Sequence, residues 1–176
     1  KKETIVLFNI ITGAISMTDE KEIYNIGEMP PLGYVPNKMH AWVIRKDRHG
    51  NPMQSFKEEE FPVPEIGPNE VLIFVMAAGV NYNGVWAGLG VPVSVLDMTK
   101  KDYHIAGSDA SGIVWKVGSD VKKWKVGDEV IIHGMQWDHE DAEVNGGEPM
   151  ISKTQKVYGY ETADGSFAQF TAVQAH

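Results

Sequence analysis

The densest set of side chains that could bind a metal ion is the acidic cluster around His139, formed by Asp138, Glu140, Asp141 and Glu143. Carboxylates are suitable ligands for calcium, but a calcium loop needs them at alternating positions around an internal glycine turn. The cluster lacks that full pattern. We therefore expect a solvated loop here, with metal binding as the less favoured alternative.

The motifs that most often mark a catalytic or cofactor site are missing from the sequence. It contains no Gly-x-x-x-x-Gly-Lys loop, no Gly-x-Ser-x-Gly elbow and no His-Glu-x-x-His pair. Gly88-Leu-Gly90 lacks the third glycine and the following helix of a dinucleotide-binding turn. Without cysteine there is no thiolate nucleophile, no disulfide and no zinc site that needs sulfur.

Polar and aromatic residues follow the most apolar segment of the chain, Glu70 to Gly79. Asn81 and Asn83 flank Tyr82 there, and Trp86 comes shortly afterwards. Taken alone, the two asparagines favour a tight turn, because asparagine tolerates left-handed backbone and a glycine follows. Aromatic residues next to a core strand usually pack in the core.

Two further titratable positions also have ordinary structural explanations. Glu161 alone is typical of a surface carboxylate, as most glutamates are. For His104, a structural role as a hydrogen-bonded histidine inside the fold is favoured over a role in acid–base catalysis.

The composition predicts a folded chain of one domain, or one and a fraction. Of its 176 residues, 43% are apolar and 23% are charged, so that a chain of this length can bury a sizeable core. The 24 acidic and 16 basic residues give a net charge of −8. That charge argues against nucleic acid or an anionic membrane surface as a partner, since both are negatively charged and bind positively charged protein surfaces.

The part of the chain after residue 39 is predicted to be mainly β. Short strands punctuated by glycine favour a closed or nearly closed barrel, because closure hides strand edges. Glu70 to Gly79 is apolar at almost every position, which predicts a strand covered on both faces. No helix longer than about two turns is predicted after residue 40. The other predicted strands are Ala41–Arg45, Gln54–Phe61, Ser111–Val117, Asp128–His133, Gln155–Tyr160 and Phe167–Val173.

Residues 1–38 are predicted to form an N-terminal arm and a Pro/Gly linker, followed by a domain over residues 39–176. Residues 18–28 have the capping residues of a short helix. The apolar stretch Ile5 to Ile15 loosely resembles a secretory signal, but Glu3 and Asn9 interrupt that pattern. We therefore expect a cytoplasmic location.

A spaced run of glycines and valines is the most specific pattern in the sequence. Gly107, Gly112, Gly118 and Gly127 could each serve a tight contact or a turn. Their joint spacing resembles the medium-chain dehydrogenase/reductase superfamily, whose N-terminal catalytic domain is a GroES-like β-barrel. The zinc enzymes of that superfamily have Gly-His-Glu at the start of the pattern, with the histidine binding metal. Ser108 stands in that place here, so the resemblance implies a branch without metal.

Three longer motifs resemble the crotonyl-CoA carboxylase/reductases. They are Asn81-Tyr-Asn83-Gly-Val-Trp86, His104-Ile-Ala-Gly-Ser-Asp109 and Tyr158-Gly-Tyr160-Glu161-Thr162. The resemblance implies a reductive carboxylation, in which NADPH reduces crotonyl-CoA and the resulting enolate attacks CO₂ to give ethylmalonyl-CoA.

The resemblance also implies a role for individual residues. Asn83 would hold CO₂ through its amide, Tyr160 would form a wall, and Glu161 would fix an ordered water. Asn81 would support Asn83, and the Tyr82 and Trp86 side chains would line the acyl pocket.

The remaining implications concern the parts of such an enzyme outside this sequence. The family's Rossmann domain, which binds most of the NADPH, is expected beyond residue 176, and the isolated chain is expected to be inactive. We expect crotonyl-CoA and CO₂ as substrates, the rest of the enzyme as a partner, and a homo-oligomer. The alternatives are a zinc-free enoyl-CoA or quinone reductase without carboxylation, and a non-catalytic barrel that serves as a binding or assembly module.

Overall fold

Short antiparallel strands are the main regular secondary structure of the described part of the chain, which confirms the mainly β prediction. The structure is a computed structural model that describes residues 20–138, 140–141, 146 and 149–175. The apolar N-terminal stretch lies outside these residues, as do His139 and Glu143 of the acidic cluster. The described strands are β1 (Lys38–Arg45), β2 (Phe56–Pro62), β3 (Glu70–Ala78), β4 (Tyr103–Ile105), β5 (Ala110–Val117), β6 (Glu129–Ile132), β7 (Met135–Gln136), β8 (Lys156–Val157) and β9 (Phe170–Gln174).

The strands form three sheets, with the orders β2-β1-β4, β6-β5-β3-β9 and β7-β8. Isolated contacts join the first sheet to the segment that leads into β9. Ala41 pairs with Ala168, and the Trp42 N–H donates to the Phe167 carbonyl at 2.8 Å. The described strands therefore do not form a continuous ring. Of the closed or nearly closed barrel expected from the sequence, full closure is not found, because short segments before β9 meet β1 at isolated residues only.

The core lies on both faces of β3. Leu72 and Phe74 pack into one apolar cluster, and Val71 and Ile73 pack into a second cluster behind the sheet. In the first cluster the ring centroid of Phe74 lies 5.0 Å from that of Trp115. The prediction of a strand covered on both faces holds for these four residues and is wrong for residues 76–78, which are exposed.

The α-helices with described bounds are α1 (Pro52–Ser55), α2 (Tyr82–Leu89) and α3 (Val95–Thr99), and two short 3-10 helices cover Lys46–Arg48 and Pro149–Ile151. The predicted tight turn at Asn81 and Asn83 is wrong, because these residues begin α2. Asn81 has extended backbone (φ −138°) and acts as the N-cap, its side chain accepting a hydrogen bond from the Asn83 N–H. The helix could not be recognised in the sequence because it contains Gly84 and Gly88, and glycine has a low helix propensity.

Several other element predictions need correction. The described part of the predicted helix at 18–28 is not helical; a turn forms there, in which the Glu28 N–H donates to the Asn25 carbonyl at 2.9 Å. The strand predicted over 155–160 is limited to β8, because the chain after Val157 turns back on itself. Residues 54 and 55, at the start of the strand predicted over Gln54–Phe61, belong instead to α1, which the Asn51 side chain caps.

The segment before β1 packs against the sheets. Tyr24 is buried, and the Trp115 indole N–H donates to the Tyr34 carbonyl at 2.6 Å. The boundary between arm and domain at residue 39 stays a prediction. Within the described ranges, the structure contains no helix that is long and apolar enough to cross a membrane.

Candidate active site

The first part of the candidate site is the junction between the end of β3 and the loop that precedes β5. The Gly79 N–H donates to the Asp109 carbonyl at 2.8 Å. A Cβ atom at Gly79 would lie only 2.9 Å from the Asp109 Cβ, so that a larger residue would force these two segments apart. This close approach brings the start of α2 next to residues 107–109.

A hydrogen-bonded cluster of polar side chains forms at this junction. The Asn81 Nδ2 donates to Ser108 Oγ at 2.8 Å and also to the Asp109 carboxylate. The Asn83 Nδ2 donates to the same Ser108 Oγ at 3.2 Å. Ser108 is only 4% exposed, whereas Asn81 and Asn83 are half-buried and remain accessible to a small molecule. We call Asn81, Asn83, Ser108 and Asp109 the amide cluster.

The second part is the turn Gly159-Tyr160-Glu161, which lies against the same loop. A Cβ atom on Gly159 would come within 2.0 Å of the Gly107 carbonyl oxygen and 3.2 Å of the Ser108 nitrogen. Gly159 also has a positive φ of 66°, which favours glycine. Through Gly107 and Ser108, the structure therefore brings the two segments singled out in the sequence to one place in the fold.

His104, on β4, is hydrogen-bonded to this turn. Its Nε2 lies 3.0 Å from the Gly159 carbonyl, and because a carbonyl only accepts, the ring proton is on Nε2. His104 is buried, and burial lowers its pKa to about 4, so that the ring is neutral at physiological pH. The expectation of a hydrogen-bonded histidine holds for Nε2, but the buried Nδ1 has no partner among the described residues.

Tyr160 and Glu161 point into different surroundings. The Tyr160 hydroxyl donates to the Val91 carbonyl at 3.3 Å, and its ring packs against an apolar cluster that includes Ala87 of α2. Burial raises the pKa of this hydroxyl. One carboxylate oxygen of Glu161 accepts the Val157 N–H at 2.6 Å, while the other accepts no hydrogen bond from the described residues.

Tyr82 and Trp86 lie on the outer surface of α2. Their side chains are 73% and 44% exposed and meet edge to face, with ring centroids 6.1 Å apart. The ordinary expectation that these aromatic residues pack in the core is therefore wrong. Their assignment to an acyl pocket stays a prediction.

An apolar cavity of about 480 Å³ opens next to the amide cluster. Asn81 is the one site residue from the sequence analysis that lines it. The full lining consists of Trp42, Pro52, Phe56, Ala78, Val80, Asn81, Gly84, Val85 and Phe167.

Sequence reasoning missed the importance of Ser108, His104 and Gly159 for this site. In the sequence, Ser108 is distinguished only by standing where the zinc enzymes of the superfamily carry a histidine. The Gly107-Ser-Asp109 spacing was the one available signal, and it did not reveal which side chains contact the serine hydroxyl. Within the described ranges, no three His, Asp or Glu side chains converge as a metal site would require. The expected absence of a metal stays a prediction.

Comparison with known proteins gives a consistent result. Residues 67–176 match the family of the alcohol dehydrogenase GroES-like domain. The crotonyl-CoA carboxylase/reductase of Cereibacter sphaeroides is 65% identical over 156 residues, which cover 89% of this chain and 36% of that protein. The crotonyl-CoA reductase of Streptomyces avermitilis is 33% identical over 165 residues, covering 81% of this chain and 37% of that protein.

Solved structures agree with these relatives. A crotonyl-CoA carboxylase/reductase superposes with a TM-score of 0.85 at 66% identity, covering 89% of this chain and 36% of that one. A second crotonyl-CoA carboxylase/reductase, in complex with NADP, gives a TM-score of 0.81 at 46% identity, covering 88% of this chain and 39% of that one. The chain thus spans little more than a third of the length of the relatives that it matches.

Proposed function

The chain belongs to the alcohol dehydrogenase GroES-like domain family, and from its similarity to crotonyl-CoA carboxylase/reductases we propose that it forms the CO₂-binding part of an NADPH-dependent reductive carboxylase of crotonyl-CoA. The observation that carries this proposal is the amide cluster at the start of α2, with the Gly159-Tyr160-Glu161 turn packed against its serine. Such a cluster offers aimed N–H dipoles in a partly buried place. CO₂ is small and uncharged, so it can be held only by dipoles of this kind.

In this proposal, Asn83 donates to a CO₂ oxygen. Its Nδ2 carries two hydrogens, and one of them is committed to Ser108. The second has no acceptor among the described residues and is available to CO₂. Glu161 acts through a water: its uncommitted oxygen accepts from the water, which in turn donates to CO₂. Together these contacts make the CO₂ carbon more electrophilic for attack by the α-carbon of the enolate.

Tyr160 and the apolar cluster beneath it keep bulk water away from this place. The half-buried ring packs against the apolar cluster that includes Ala87, and its hydroxyl is turned to the Val91 carbonyl. Because the hydroxyl is already bound there, it is not aimed at the enolate as a proton donor. Excluding proton donors favours carboxylation over simple reduction, since a proton and CO₂ compete for the same carbon.

NADPH, when bound, supplies the hydride for the β-carbon of crotonyl-CoA. The described residues include no glycine-rich turn for its phosphates, and we assign the phosphates to another part of the enzyme. The exposed rings of Tyr82 and Trp86 remain available to the acyl group of the substrate, as the resemblance implies. The cytoplasmic location and the homo-oligomer expected from the sequence remain proposals.

The proposal is tested with the complete enzyme, NADPH, crotonyl-CoA and ¹³C-labelled bicarbonate. Asn83→Ala removes the direct contact to CO₂. Glu161→Gln alters the contact through water, because the Val157 N–H holds the glutamine oxygen and the NH₂ group, which only donates, then faces the water. For each variant we expect the ratio of ethylmalonyl-CoA to butyryl-CoA to fall about tenfold, as the loss of one hydrogen bond worth about 1.4 kcal/mol predicts. Asn69→Ala is the matched control, because the Asn69 side chain makes no hydrogen bond with the described residues.

Each alternative function predicts a different product. An enzyme that yields only butyryl-CoA would be a reductase without carboxylation. A protein that oxidises no NADPH would be a binding or assembly module. Unchanged product ratios in Asn83→Ala and Glu161→Gln would show that these residues do not bind CO₂.

A further inference from the structure

Ser108 occupies the centre of the amide cluster. It lies in the loop between β4 and β5, is 4% exposed, and receives N–H groups from two different amides, at 2.8 Å from Asn81 and 3.2 Å from Asn83. A hydroxyl oxygen has two acceptor positions, and both are used here.

The direction of the hydrogen bond between Asn81 and Ser108 is fixed from outside the serine. The Asn83 backbone N–H donates to the Asn81 Oδ1 at 2.8 Å, and the Asp109 carboxylate accepts from the Asn81 Nδ2. The Asn81 amide can therefore present only its NH₂ group to Ser108. The serine oxygen must act as the acceptor there, and its second acceptor position faces the Asn83 side chain.

From this arrangement we propose that Ser108 is a positioning residue that sets the orientation of the Asn83 amide. The inference rests on the proposed function, in which that amide binds CO₂. With Ser108 present, the Asn83 Nδ2 faces the serine and keeps its second N–H for CO₂. Without the serine oxygen, the amide can rotate about its terminal torsion, which has a broad energy profile. The Asn83 Oδ1 then faces the site and repels the oxygens of CO₂.

The test uses the complete enzyme with four changes: Ser108→Ala, Ser108→Cys, Asn83→Ala and the double variant Ser108→Ala/Asn83→Ala. Cysteine fills the serine volume but is a weak acceptor, so it separates the effect of the hydrogen bond from that of a cavity. Ser55→Ala is the matched control. Ser55 is fully buried and donates to the Gly88 carbonyl at 2.8 Å, but it lies outside the amide cluster.

We expect Ser108→Ala to raise the KM for CO₂ about tenfold, with the rate of NADPH oxidation at saturating CO₂ within about twofold of the parent. Ser108→Cys changes the KM in the same direction. The double variant matches Asn83→Ala alone, because the serine acts through that asparagine. Ser55→Ala lowers the unfolding midpoint without changing the KM for CO₂.

The outcomes separate this inference from the proposed function. If Asn83→Ala changes the KM for CO₂ and both Ser108 variants do not, the positioning role of Ser108 is wrong and the proposed function stands. A further KM increase in the double variant over Asn83→Ala would also overturn the inference, since Ser108 would then act independently. If Asn83→Ala has no effect, the proposed function fails and the inference fails with it.

Discussion

Replacing Gly159 with alanine is expected to separate the Tyr160-Glu161 turn from the loop that carries Ser108. The added Cβ would lie 2.0 Å from the Gly107 carbonyl oxygen, about 1.4 Å short of an ordinary contact distance of 3.4 Å. The neighbouring atom belongs to the backbone and cannot rotate away. The turn must therefore move by about the same distance, or the fold must bear the overlap.

The cost has two parts. Alanine at a positive φ of 66° costs about 1 kcal/mol relative to glycine, because its Cβ approaches its own carbonyl. Overpacking against a rigid neighbour adds about 1–3 kcal/mol. We therefore expect the free energy of unfolding to fall by about 2–4 kcal/mol in Gly159→Ala.

Urea-induced unfolding measures this change, and Gly27→Ala is its control. Gly27 also has a positive φ, of 85°, but a Cβ atom there would meet nothing within 4 Å. Gly27→Ala should lower the free energy of unfolding only by the cost of the positive φ, about 1 kcal/mol. In the complete enzyme, Gly159→Ala should also lower the ethylmalonyl-CoA fraction by up to about a hundredfold, because a displacement of about 1 Å can cost that much.

An equal loss of stability in the two glycine variants would refute this reasoning, because it would mean that the contact between residues 159 and 107 carries no energy. A destabilised Gly159→Ala enzyme with an unchanged product ratio would show instead that the turn is structural and takes no part in binding CO₂.

Three further predictions concern stability. Burial lowers the pKa of His104 from 6.5 to about 4, so the contribution of the neutral ring to the free energy of unfolding is complete above pH 6.5 and is lost as the pH falls towards 4. Urea unfolding should show a loss of about 3 kcal/mol over this range, and the His104→Asn variant should lack that loss. Parallel pH profiles of the two proteins would contradict the prediction. Tyr158→Phe removes a buried hydrogen bond of 2.6 Å to the Thr171 hydroxyl and should lower the free energy of unfolding by about 1–2 kcal/mol, whereas no change in the unfolding midpoint would show that bond to be without net value. Lys125→Ala breaks an exposed ion pair with Asp128 and should change the free energy of unfolding by less than about 0.5 kcal/mol, so a larger loss would show that this pair stabilises the fold more than exposed pairs usually do.

The strands could be predicted from sequence because their signals are local. The apolar run of β3 and the turn residues around it identify a core strand whichever partners it finds. The glycine pattern was also informative: a Cβ at Gly112 would lie 2.2 Å from the Phe74 carbonyl oxygen, which is the close approach that the sequence predicted. The same spacing supported the resemblance to a family.

Helix α2 could not be predicted in the same way. It has eight residues, two of them glycines, and its stability comes from capping by Asn81 and from packing of Ala87 on a neighbouring cluster. The open arrangement of the sheets was equally inaccessible, because it depends on which residues before β9 reach β1. These are contacts between distant parts of the chain.

The sequence by itself determined the mainly β class, the positions of most strands and the two polar segments at 81–83 and 160–161. Only the tertiary structure decided that these segments meet at one loop, and that Ser108 rather than a charged group joins the two asparagines. The physical reason is that hydrogen bonds between residues 25 and 27 positions apart depend on how β3, α2 and the loop before β5 pack together. Residue types and local spacing carry no information about that packing.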